Sequence, residues 1–113
     1  MSRRSDRAAL RDLVDAAREA VEMFDAATPD ELERDRRTLL ALTHLVVIVG
    51  EAANRCSPAI RERHPRVPWE AIRGMRNRLV HGYDQVSREI LHDTVAVDLP
   101  RLIDQVSDLL GSP

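Results

Sequence analysis

Leu32, Leu39, Val46 and Ala53 stand seven residues apart, and Leu42, Val49 and Cys56 form a companion seam between them. Two apolar seams at this spacing are satisfied by a helix and by no strand. Between Leu39 and Val49 the chain is apolar nearly all round, which predicts the central helix of a bundle, touching a second subunit as well. The uncharged run that holds it, Thr38 to Gly50, has 13 residues. A membrane-spanning helix needs roughly 20, so this is a core segment. Its start is marked by Thr28-Pro29-Asp30-Glu31, which combines an N-cap threonine, a proline in the first turn and a glutamate three residues after the cap. One helix is therefore predicted from Pro29 through Cys56.

The remaining pattern is helical too. From Ala9 to Phe24, Leu10, Leu13, Val14, Ala17, Ala20, Val21 and Phe24 form one apolar stripe between charged residues. Ser57-Pro58 restarts a short helix that Pro65 stops. Pro68-Trp69-Glu70 opens another, with Ala71, Ile72, Met75, Leu79 and Val80 on its apolar side and Gly82 as its end. A last helix spans Ser87 to Leu110, kinked or interrupted at Pro100, which lacks a backbone donor. No alternating β-branched run or hairpin turn pair is present, so strands are not expected. The expected fold is an all-α bundle of about four long helices and one short one, a single domain over residues 1–113. With 43% hydrophobic and 32% charged residues, the composition excludes a disordered tail or a disulfide miniprotein. No secretory signal is visible after Met1, which predicts a cytoplasmic location without membrane contact. The single cysteine, Cys56, excludes an internal disulfide and a thiolate zinc motif.

A net charge of −2 conceals an uneven distribution. Residues 55–88 carry eight arginines against Glu62, Glu70 and Asp84, a local excess of five positive charges flanked by acidic segments. Such a region concentrates polyanions near it. All 17 basic residues are arginine, a bias that genome composition explains without reference to function. His44, His64, His81 and His92 make no H-x-x-x-H pair, and Gly50, Gly74, Gly82 and Gly111 stand alone. No metal, phosphate loop or other cofactor is expected, and no serine lies in a nucleophile-elbow context. Trp69 reads as core, His44 as a buried or interface histidine, and His64 and His92 as exposed.

What remains is Gly74-Met75-Arg76-Asn77-Arg78-Leu79-Val80-His81-Gly82-Tyr83, which places a guanidinium, an amide, an imidazole and a phenol within eight residues. On a continuous helix Arg76 and Tyr83 share a face, whereas His81 lies about 140° away from Arg76. Three solutions are open: the arginine side chain curls round, the helix ends before His81, or the site pairs residues across two chains.

Arg76, four residues, His81, one residue and Tyr83, with Asn77 after the arginine, resembles the Arg-x4-His-x-Tyr signature of HEPN-domain proteins, specifically the HepT-like toxins. Ile48-Val49-Gly50-Glu51-Ala52, Ser57-Pro58, Pro68-Trp69 with Ile72, and Val80-His81-Gly82-Tyr83 resemble that family's phrases in their usual order. The likeness covers roughly residues 5 to 106, with no departure at the motif positions. It implies a metal-independent ribonuclease toxin of a type II toxin-antitoxin pair, an α-helical homodimer with the motif residues of both subunits facing one cleft. It also implies a minimal nucleotidyltransferase antitoxin that transfers AMP from ATP to the motif tyrosine, Tyr83.

The residue types suit that chemistry independently of the family. Cleaving RNA without a metal uses the adjacent 2′-OH as nucleophile, so it needs a base, an acid for the departing 5′-oxygen and a cation for the phosphorane charge. His81 suits base or acid near neutral pH, and a second His81 from the other subunit would take the complementary role. Arg76 stabilises charge through its planar fork. Asn77 orients the phosphate or the imidazole, and Arg73 and Arg78 steer RNA. The alternative function is a non-catalytic HEPN module that binds nucleotides or a nucleotidyltransferase partner; the intact Arg76/His81 pair favours the enzyme.

Overall fold

In the computed structural model, which describes residues 3–25, 27–81 and 85–111, helices dominate. They are α1 (Arg3–Phe24), α2 (Pro29–Arg34), α3 (Arg36–Arg55), α4 (Pro58–Arg63), α5 (Trp69–Arg73) and α6 (Met75–Leu79), then α7 (Arg88–Asp93), a π-helical turn (Thr94–Asp98) and α8 (Leu99–Gly111). The all-α class expected from the sequence is the class observed. The central layer is α1 laid along α3, with α8 on the other side of α1 and α5–α6 across the C-terminal half of α3. Leu13, Ala17 and Ala20 of α1 meet Leu42, Val46, Val49 and Ala53 of α3 in one core that Leu99, Leu102 and Val106 of α8 complete. Burying each such leucine or valine contributes about 1.5–3 kcal/mol.

Several expected elements are shorter than their apolar pattern suggests. The helix predicted from Pro29 to Cys56 breaks at Asp35, which closes α2 and caps α3. Thr28 does cap α2, accepting from the Glu31 N–H at 3.2 Å. The Asp35 carboxylate accepts from the Thr38 N–H at 3.1 Å and from the Thr38 hydroxyl at 2.7 Å. These bonds hold its pKa below the ordinary carboxylate value. A cap rewards a break with satisfied donors, so the heptad continues in register across a chain that does not.

The helix predicted from Trp69 toward Gly82 divides at Gly74 and stops at Leu79. Beyond it Val80–His81 (β1) pairs antiparallel with Gln85–Val86 (β2), a two-residue ladder where no strand was expected. The Ser87 N–H donates to the Leu79 carbonyl at 2.9 Å, so the returning chain takes an acceptor that a continued helix would have used. The final helix is interrupted as expected, and the form of the interruption is the π turn that leads into Pro100. His44 is exposed on α3, which removes the buried alternative for it, and His64 and His92 are half-buried rather than exposed. The His92 ring packs edge-on against Phe24, centroids 5.2 Å apart. Trp69 is core, and its indole N–H donates to the His64 carbonyl at 2.9 Å.

Asp6 is buried at 5% exposure and ties the start of α1 to the start of α4. Its two carboxylate oxygens accept from the Ser57 N–H at 2.8 Å and the Ser57 hydroxyl at 2.6 Å. Ser57 Oγ in turn accepts from the Ile60 N–H at 3.3 Å and caps α4. Asp6→Ala leaves two buried donors without an acceptor and is expected to cost about 2–3 kcal/mol. Urea unfolding should show a lower midpoint at unchanged slope. Burial, with the Asp6 carboxylate adding to it, pushes the neighbouring Cys56 thiol up to about 11. Cys56 is thus a protonated core residue. Among the described residues, no helix is long and apolar enough to cross a membrane.

Candidate functional site

Where α5–α6 crosses α3, Gly50 allows the backbones to meet: a Cβ there would stand 3.1 Å from the Ile72 carbonyl oxygen. The same crossing opens a groove of about 330 Å³. One wall is α3, through Val47, Gly50, Glu51 and Asn54; the other is Glu70, Arg73, Gly74 and Arg76. Sequence spacing explains the α3 wall, since Val47, Glu51 and Asn54 recur at one-turn intervals on a single face.

Arg73 is committed within this groove. Its Nε donates to Asn54 Oδ1 at 3.0 Å and its Nη1 to Glu70 Oε1 at 2.9 Å, so it clamps α5 to α3. Arg76 differs: it is exposed at the groove edge and forms no hydrogen bond or ion pair among the described residues. Its guanidinium keeps its donors for a ligand, in the planar fork that fits phosphate oxygens. Asn77 and Arg78 are exposed on the same short helix, and Arg78 lines a different cleft, between α6 and α8.

The backbone of His81 lies in β1, two residues past the end of α6. Of the three solutions open for the Arg76–His81 offset, the backbone adopts the second: the helix ends before His81. The His81 side chain and all of Tyr83 lie outside the described residues. Groove residues that sequence reasoning passed over are Glu51, Asn54 and Glu70. Their signal was weak but present, a carboxylate and an amide three apart on the polar face beside Gly50. No group of three or more potential metal ligands occurs among the described residues.

The groove therefore joins an unengaged guanidinium to a polar α3 wall, with the backbone of a histidine delivered just beyond it. An exposed guanidinium with open donors can take an anionic group. Residues 13–109 match the family described as ribonuclease HepT-like. The chain belongs to the HepT-like ribonuclease family. A Caldanaerobacter subterraneus subsp. tengcongensis protein that carries RNase in its name is 31% identical over 90 residues, covering 80% of each chain. A Methanocaldococcus jannaschii protein, also with RNase in its name, is 26% identical over 97% of this chain and 91% of its own. A Thermococcus cleftensis protein with the name ribonuclease HepT is 29% identical over 81% of this chain and 87% of its own. No solved structure matches the chain.

Proposed function

We propose that this chain is a metal-independent endoribonuclease, the toxin of a type II toxin-antitoxin pair acting in the cytoplasm. The observation that carries the reading is Arg76, without a partner among the described residues, at the mouth of the α3/α5–α6 groove on a helix that ends just before His81. Membership of the HepT-like ribonuclease family supports it. In the proposed reaction His81 removes the proton of a 2′-hydroxyl, and the 2′-oxygen attacks the adjacent phosphorus. Arg76 holds the charge that gathers on the phosphorane oxygens. The bond to the 5′-oxygen breaks as an acid, the second subunit's His81, donates a proton to it. The products are a 2′,3′-cyclic phosphate and a 5′-hydroxyl. Asn77 orients the phosphate or the imidazole. The test is incubation of the purified protein with RNA and with DNA in EDTA. RNA cleavage alone is expected; dependence on added divalent metal, or equal cleavage of DNA, overturns the reading.

The outer face of α3 supports a second subunit in this reading. On the outer face of α3, Leu40, His44, Val47 and Glu51 form one stripe, and Leu40 is 47% exposed. Its lower end, Val47 and Glu51, is the wall of the Arg76 groove. A partner on this stripe would bring its own groove beside the first, as a two-subunit site requires. Leu40→Glu puts a charge into that contact. Light scattering should then report the 12.8 kDa of one chain where the wild type gives twice that mass, with loss of RNA cleavage. A monomeric active wild type would contradict the shared site.

Control of the site is proposed to lie at Tyr83. A minimal nucleotidyltransferase antitoxin would join the tyrosine oxygen to the α-phosphorus of ATP, with pyrophosphate leaving.

A further inference from the structure

α6 has a second side. Ala71, Met75 and Arg78 follow one another at helical spacing along α5–α6 and face Asp98, Arg101 and Gln105, spaced likewise along α8 and its entry. Between them lies a cleft of about 240 Å³. Buried Ile72, Met75 and Leu102 make its floor. Arg78 and Arg101 stand on opposite walls, both exposed, and neither side chain forms an ion pair or hydrogen bond among the described residues. Asp98, half-buried, closes the π turn, a helix irregularity that recurs at functional positions. The Gln105 amide donates to the Arg66 carbonyl at 3.3 Å and holds the Val67–Pro68 loop against α8.

We infer that this cleft is a subsite for one nucleotide of the RNA, remote from the scissile bond. The inference rests on the RNA reading above. Two guanidiniums with open donors on opposite walls of one cleft offer charge-assisted hydrogen bonds to a phosphate group. An apolar floor takes the face of a base, and the Asp98 carboxylate accepts from an exocyclic amine. The volume is below the ~300–1,000 Å³ of pockets for whole drug-sized ligands, which suits a single base better than a cofactor. Arg76 and Arg78 lie on opposite sides of α6, a helix about 10–12 Å across with its side chains. A strand held at Arg76 therefore reaches the second cleft by crossing that helix.

The test measures binding and cleavage separately. Binding is followed by fluorescence anisotropy with fully 2′-O-methylated oligoribonucleotides at several salt concentrations, and cleavage kinetics with the unmodified strands. Arg101→Ala should weaken binding at least about fivefold and lower the magnitude of the salt slope by about one. KM should rise with kcat unchanged, because Arg101 does not reach the reacting phosphate. Asp98→Asn should weaken binding of oligomers rich in adenine or cytosine more than oligouridylate. The thermal midpoint of each variant reports folding. Unchanged affinity and salt slope in a folded Arg101→Ala protein would overturn the inference, as would failure of the wild type to bind RNA. So would a variant that binds RNA normally but no longer binds an acidic protein partner. A wild type that binds RNA with this Arg101 dependence yet never cleaves it would leave the subsite standing and defeat the catalytic reading alone.

Discussion

His81→Ala should lower the rate of RNA cleavage at least about a hundredfold, the usual scale for losing a general acid or base. Arg76→Ala should cost as much, since a preorganised donor aimed at developing charge contributes about 10²–10³ in rate. The two losses should differ in kind. Without Arg76 the pH profile should keep its shape at a lower height, because the titrating group remains. Without His81 the profile should flatten. The Arg76→Ala protein should not be much less stable than the wild type, because Arg76 is exposed and its side chain carries no ion pair among the described residues. Arg73→Ala should behave otherwise. Its bond to Asn54, with the guanidinium steadied by Glu70 on the same helix, ties α5 to α3, so its loss should lower the melting temperature along with the rate. Single-turnover rates across pH, read beside melting curves, separate these cases; an Arg76→Ala protein that cleaves at the wild-type rate would remove Arg76 from the site.

Modification of Tyr83 should abolish cleavage rather than slow it. Tyr83 follows His81 by two residues, so a nucleotide on its phenol would be held close to the proposed phosphate site. Its phosphate adds negative charge where Arg76 would otherwise meet RNA, and the adenosine blocks the way in. Tyr83→Phe should keep much of the ribonuclease activity, because no step of the transfer needs a phenol, and should escape silencing. Incubation with ATP, Mg²⁺ and a nucleotidyltransferase partner should add one or more AMP units to the wild type and none to the Phe variant. Equal mass gain in both proteins would place the modification on another residue.

Local signals in the sequence are legible where one residue type decides the outcome. Thr28 and Ser57 cap the helices they precede, and Pro100 forces the irregularity in the last helix. A seam of apolar residues hides a helix end where it runs on through a backbone break. Leu32 and Leu39 keep their spacing across Asp35, although Asp35 with Thr38 is itself a capping pattern in plain view. Met75 and Leu79 likewise continue the stripe of Ile72 past Gly74. The end of α6 at Leu79 could not be read locally, because it depends on Ser87 returning to bond the Leu79 carbonyl.

The candidate site divides the same way. Arg76, Asn77 and His81 are visible as a motif of one short segment. Glu51, Asn54 and Glu70 become its neighbours only when Gly50 lets α5 approach α3. Arg101 and Asp98 share a cleft with Arg78 only through the packing of α8 on α5–α6. These are long-range contacts, and spacing along the chain carries no trace of them.

The proposed reaction uses the 2′-hydroxyl as nucleophile. Its most direct test takes an RNA oligonucleotide that the protein cuts, and the same strand with a single 2′-O-methyl group at the cleaved nucleotide, both in EDTA. The unmodified strand should yield a fragment ending in a 2′,3′-cyclic phosphate and another beginning with a 5′-hydroxyl, and the methylated strand should stay intact at that position. Cleavage of the methylated strand at the same bond, or a product ending in a 3′-hydroxyl, would contradict it.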